Sequence, residues 1–102
     1  LKAIFVHLTG SRRGNTEVFS IDTISIGTDA EASLHFDPEI DRSTSKYHAK
    51  IRLQECDYVL EDQGSVKGTL VNNRLVSKII LKDGDLIEFG DGGQGAFSYQ
   101  VG

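Results

Sequence analysis

Residues 44–51, "TSKYHAKI", join two kinds of pattern within a few positions. From Ala49 onward the chain alternates, with Ala49, Ile51 and Leu53 set against Lys50, Arg52 and Gln54. A period of two over such a run predicts a half-buried β-strand with its apolar side on a core. A strand start does not require the polar cluster before it, Thr44, Ser45, Lys46 and His48. That cluster could be a catalytic Ser/His pair, a metal ligand, an anion cradle or a polar loop.

The same alternation recurs on both sides. "AIFVHL" (3–8) sets Ile4, Val6 and Leu8 on one face, with Ile4 and Val6 expected in the core. "SRRGN" (11–15) turns the chain into "TEVFSI" (16–21), and "TISIG" (23–27) follows. Residues 28–45 form a long polar connection around Pro38, with a brief strand at 34–36 and no other structure of its own. Connections of that length in compact domains are usually functional or mobile. Then come "HAKIRLQ" (48–54), "YVLED" (58–62), the loop "QGSVKG" (63–68), "TLVN" (69–72), a turn at Asn72–Asn73, and "RLVSKIIL" (74–81). Lys82-Asp83-Gly84-Asp85 reads as a hairpin turn, before "LIEFG" (86–90), "DGGQG" (91–95) and "AFSYQV" (96–101). Short strands spaced near ten residues apart predict an all-β antiparallel sandwich or barrel.

Length and charge narrow the function. A chain of 102 residues is expected to be one domain, 1–102. It opens on Leu1 rather than Met, consistent with a module excised from a larger protein and working beside its other domains. The net charge of −4 disfavours nucleic acid as a partner. Neither a long apolar run nor a leader is visible, so no membrane association is expected. The single cysteine, Cys56, has no partner for a disulfide or zinc site, and a reduced thiol near a turn fits a cytoplasmic setting.

Each chemistry for the opening cluster can be weighed. Ser45 and His48 enter a strand three residues apart, so their side chains diverge unless the backbone turns, and no nucleophile elbow is present. The chain is therefore read as non-enzymatic. His7, His35 and His48 lie in separate segments without ligand spacing, and "DGDLIEFGDGG" lacks the alternating oxygens of a calcium loop. No metal or cofactor is expected. An anion cradle fits better, because hydroxyls, a lysine and approachable backbone suit phosphate. "GSVKGT" (64–69) is a second loop of the same character.

Two such loops in this order, with "SIG" (25–27), "SKYHAKI" (45–51), "LEDQGSVKGTLVN" (60–72) and "LKDGDLIEFG" (81–90), resemble a forkhead-associated (FHA) domain. The similarity spans nearly the whole chain, and "FDPEIDRSTS" (36–45) resembles bacterial members. The resemblance implies a β-sandwich of about eleven strands that binds phosphothreonine peptides in signalling. It makes Ser45 a phosphate contact, Lys46 a phosphate or peptide contact, and His48 a brace for the loops. Gly27 and Gly68 match structural glycines of the site, and Ser65 and Thr69 keep their places in the second loop as candidate phosphopeptide contacts.

Two positions depart from the family. Its phosphate-gripping arginine is replaced by Thr28, and its peptide-holding asparagine by Lys67. Arg42, shortly before Ser45, is a substitute source of charge. The expectation is a protein-interaction module with weakened or altered phosphothreonine-peptide recognition, its partner a protein or peptide. The alternatives are a phosphate-independent module with a degenerate site and a sugar- or calcium-binding sandwich.

Overall fold

The computed structural model describes residues 1–90 and 93–100, which form eleven strands in two packed sheets. The first sheet contains β1 (Lys2–His7), β2 (Thr16–Phe19), β7 (Thr69–Val71), β8 (Arg74–Val76), β10 (Leu86–Phe89) and β11 (Gly93–Gln100), ordered β2-β1-β11-β10-β7-β8. The second contains β3 (Thr23–Gly27), β4 (Leu34–His35), β5 (Ala49–Gln54), β6 (Asp57–Asp62) and β9 (Lys78–Ile80), ordered β4-β3-β5-β6-β9. None of the described residues is helical, so no helix among them is long and apolar enough to cross a membrane. Asp91 and Gly92 of the "DGGQG" turn and Val101 of the last strand lie outside the described residues.

The sandwich is not wholly antiparallel. β4 runs parallel to β3, because residues 28–33 double back along that strand, where Ser33 N donates to Ser25 Oγ at 2.9 Å. Ala49 and Ile51 point into the core as alternation predicts, and Leu53 packs at its margin. The core between the sheets is built on Phe5, Phe36, Phe89 and Phe97 with Ile24, Ile26, Leu60 and Ile87.

β1 corrects the expected phase. Ala3, Phe5 and His7 face the core, while Ile4 and Val6 face outward and Leu8 is exposed. Ile4 and Val6 on one face and Ala3 and Phe5 on the other are all apolar, so alternation within 3–6 could not choose between them, and only the terminal Lys2 marks the outer face. The choice lies in β11, where a Cβ on Gly95 would sit 2.2 Å from the Phe5 ring. Gly95 leaves the space that Phe5 fills. His7 follows Phe5 inward, and its Nε2 meets Glu17 Oε2 at 2.6 Å.

Three other segments differ from the expectation. "RLVSKIIL" is two strands, since the chain passes between sheets at Ser77, whose carbonyl accepts from Asp62 N at 2.9 Å. Lys82–Asp85 joins β9 of one sheet to β10 of the other, so it is a corner and not a hairpin. The Asn72–Asn73 turn does close a hairpin, with φ of 51° and 67° carried by asparagines that tolerate that region. The 28–45 connection is organised around the buried Asp41, whose carboxylate accepts from Ser11 and from Asp37 N. Thr44, also buried, donates its hydroxyl to Phe89 O at 2.8 Å.

Candidate functional site

The loops after β3, before β5 and after β6 meet at one end of the sandwich. Gly27 closes β3 against the second of them: with φ of 157°, any Cβ there would lie 2.1 Å from Lys46 O. That close approach lets Thr28 N donate to Ser45 O and Asp29 N to Lys46 O, both at 3.1 Å. The third loop joins through Val66 N, which donates to Ser45 Oγ at 3.0 Å. Ser45 Oγ thus accepts a bond from inside the protein while its own proton stays available to a ligand. The backbone N–H groups of Lys46 and Lys67 have no partner among the described residues.

His48 stands behind these loops, fully buried. Its Nδ1 accepts from Ser45 N at 3.0 Å, which leaves the proton on Nε2 to be donated to Gly68 O at 2.9 Å. A cation would lose the first bond, and burial holds the His48 pKa below its ordinary value, opposed by the Gly68 carbonyl and the Asp62 charge. The neutral imidazole therefore ties the Ser45 loop to the Gly68 loop. Its ring also packs edge-on against Phe89, 5.6 Å between centroids.

Asp62 organises the third loop, a role the sequence reading missed. Its carboxylate accepts from Gly64 N (3.0 Å), Ser65 N (3.1 Å), Ser65 Oγ (2.5 Å) and Thr69 Oγ1 (2.7 Å). Burial alone would raise its pKa, but the Ser65 and Thr69 hydroxyls and the Ser65 and Gly64 amides outweigh it and hold the group below the ordinary carboxylate value. The available signal was an Asp directly before "QGSVKGT", a loop rich in donors.

The structure places the candidate residues unequally. Thr28, Ser45, Lys46 and Lys67 belong to the three joined loops, with Lys46 and Lys67 exposed. Thr69 is 0% exposed, so it is corrected from a peptide contact to a buried partner of Asp62. Ser65 is turned into its own loop, where its hydroxyl bonds Asp62 and accepts from Gly68 N. Arg42 Nε is held by Glu39 O at 3.0 Å within the long connection.

Shallow grooves flank this end. One, about 370 Å³, is lined by Asp29 and Glu31 facing Lys46, Tyr47 and Gln63. The other, about 530 Å³, runs from Ser65, Val66 and Lys67 to Leu75. Cations therefore come from the second and third loops, while the first loop brings acids beside Thr28. Position 28 itself offers a hydroxyl and no guanidinium fork.

Known proteins share this construction. The FHA domain family model matches residues 24–90. The glycogen accumulation regulator GarA of Mycolicibacterium smegmatis is 30% identical over 88 residues, covering 86% of this chain and 54% of that protein. The oxoglutarate dehydrogenase inhibitor of Corynebacterium efficiens is 30% identical over 88 residues, covering 86% and 60%. The chain thus spans between about half and three fifths of the length of these curated relatives. A solved FHA domain studied for phosphothreonine-dependent interactions superposes with a TM-score of 0.85 at 27% identity, over 99% of each chain. The chain belongs to the FHA domain family, a family of non-enzymatic interaction modules.

Proposed function

We propose that the joined loops bind a threonine-phosphorylated peptide of a partner protein, more weakly than a domain carrying an arginine at position 28 would. Ser45 Oγ, the free N–H of Lys46, and the Lys46 and Lys67 ammonium groups supply the phosphate donors. Gly27, His48 and Gly68 hold the loops in place. The observation that carries this reading is the Val66 N to Ser45 Oγ bond, which orients a serine hydroxyl for donation beside two exposed lysines. A hydrogen bond to a charged group contributes ~1.5–3 kcal/mol, so the absent arginine costs ~10- to 150-fold in affinity.

Asp29 and Glu31 favour a second reading, in which the module binds an unphosphorylated segment. Calorimetric titration with matched phosphothreonine, phosphoserine and unmodified peptides separates the two. Binding confined to the phosphothreonine form supports the first, and equal affinity for all three overturns it. Two wider features belong to the same proposal. The module works in the cytoplasm of a bacterium, which the bacterial relatives and the lone thiol of Cys56 support. It acts beside other domains of a longer protein, which the greater length of those relatives supports.

A further inference from the structure

The outward face of the six-stranded sheet is apolar where a solvated sheet face alternates to polar. Strand register pairs Val18 with Ile4, Val6 with Ala96, Ala96 with Leu86, and Leu70 with Leu75, all on the side away from the core. These pairs join diagonally into one belt that crosses all six strands from β2 to β8. Val18 is 56% exposed, Leu75 73% and Leu86 38%, while Ile4, Val6 and Leu70 are half-buried. Among the described residues of its strands, Lys2 and Glu88 alone put charges on this face. The outer face of the other sheet presents Lys50, Arg52, Asp57, Glu61 and Lys78. One sheet is built to meet water, and the other carries a strip that is not.

We propose that this belt docks an amphipathic helix of a partner protein, with an apolar stripe, an acidic flank over Lys2 and a basic flank over Glu88. Five strand spacings of ~4.8 Å make the belt ~24 Å long. That is the span of about sixteen helical residues at ~1.5 Å each. Lys2, Ser98 and Gln100 bound the belt on one side and Thr16, Gln94 and Glu88 on the other, so it is one helix wide. A strip of roughly 24 by 10 Å falls far short of the ~800 Å² per partner of a standard interface, so the helix complex is a transient one, and a stable dimer through this flat face is disfavoured. The opposed charges on the two rims match the two flanks of such a helix. Of the belt residues, Leu75 also lines the groove beside Lys67, whereas Ile4, Val6 and Val18 lie on strands away from the joined loops and report on the belt alone.

The test is an NMR titration of the whole chain with a synthetic helix of about sixteen residues. The probe carries leucines at i, i+3, i+4 and i+7, glutamates along one flank and lysines along the other; a scrambled peptide of identical composition is the control. Shifts should cluster on Ile4, Val6, Val18, Leu70, Leu75 and Leu86, leave Thr28 and Ser45 unmoved, and be absent with the scrambled peptide. Val18→Lys and Leu75→Lys should each weaken binding about tenfold at unchanged melting temperature, and Lys2→Glu severalfold. No shifts at millimolar peptide, or equal shifts from the scrambled control, would overturn the proposal. So would a dimer in sedimentation that Val18→Lys dissociates, because a second copy would then cover the belt.

Discussion

His48 donates through Nε2 to the carbonyl of Gly68 across 2.9 Å, and this bond fixes both the tautomer of the ring and the separation of two of the joined loops. The partner bond from Ser45 N to Nδ1 can form only while the ring is neutral. Replacing His48 with alanine strips Ser45 N of its acceptor and leaves a void against Phe89. The expected cost is ~1–3 kcal/mol in a denaturant melt. Binding should weaken alongside stability; a variant that melts like the parent but no longer binds would mark His48 as a contact residue.

The same geometry sets a pH dependence. The unfolded chain takes up a proton on this histidine near 6.5, whereas the folded chain holds it off to lower pH. Protonation therefore favours the unfolded state, and the His48 contribution to stability is lost as pH falls from about 6.5 through the lower folded value. Asp62 behaves alike in a separate, more acidic window, below its ordinary value of 3.8. Melts taken at half-unit steps should show two declines, and His48→Ala should remove the upper one.

Asp62→Asn is expected to cost more than its small change of shape suggests. All four bonds to the carboxylate come from donors, and an amide would turn an NH₂ group toward at least one of them. The loss should be ~2–3 kcal/mol. Amide exchange at Gly64 and Ser65 should accelerate well beyond the rise at β5. A uniform acceleration would show that Asp62 supports global stability rather than this loop.

Sequence alone revealed much of this, and the failures have physical reasons. Ala49 and Ile51 were placed correctly because lysine and arginine mark the other face of β5. Ile4 and Val6 were misplaced because Ala3 to Val6 are apolar on both faces and only the terminal Lys2 marks the outer one, while the residue that makes room for Phe5, Gly95, sits some ninety positions away in β11. The division of "RLVSKIIL" was hidden because β8 and β9 share one apolar pattern while pairing in different sheets. Motif order pointed to Gly27, Ser45 and His48, which the structure brings together where the loops join. Asp62 and the burial of Thr69 needed coordinates, since neither the convergence of four donors nor the direction of a hydroxyl follows from spacing.

Charge and hydroxyl contributions to binding should separate by salt. Lys46 and Lys67 are exposed point charges, screened beyond ~8 Å at physiological ionic strength. Lys46→Ala and Lys67→Ala should each weaken phosphopeptide binding and flatten its salt dependence. Ser45→Ala should weaken binding at an unchanged slope, because its bond to phosphate is short and local. Identical salt slopes for all three variants would remove the lysines from the site.

Thr28→Arg tests the departure from the family directly. Thr28 N is bonded to Ser45 O at 3.1 Å, so a side chain at position 28 starts from backbone tied to the Ser45 loop. A guanidinium there can grip two phosphate oxygens, and the expected gain is ~1.5–3 kcal/mol in phosphothreonine affinity. Asp29 and Glu31 stand close by and would compete for the same guanidinium. The gain should therefore sit at the lower end of that range, and adding Asp29→Asn should raise it. Lys67→Asn in the same background replaces a donor-only side chain with one that also accepts, so an extended peptide backbone can be held. Unmodified peptide should gain nothing from the arginine. If the folded variants bind phosphorylated and unmodified peptides alike, the loops do not form a phosphate cradle, and the apolar belt of the six-stranded sheet becomes the surface on which to look for the partner.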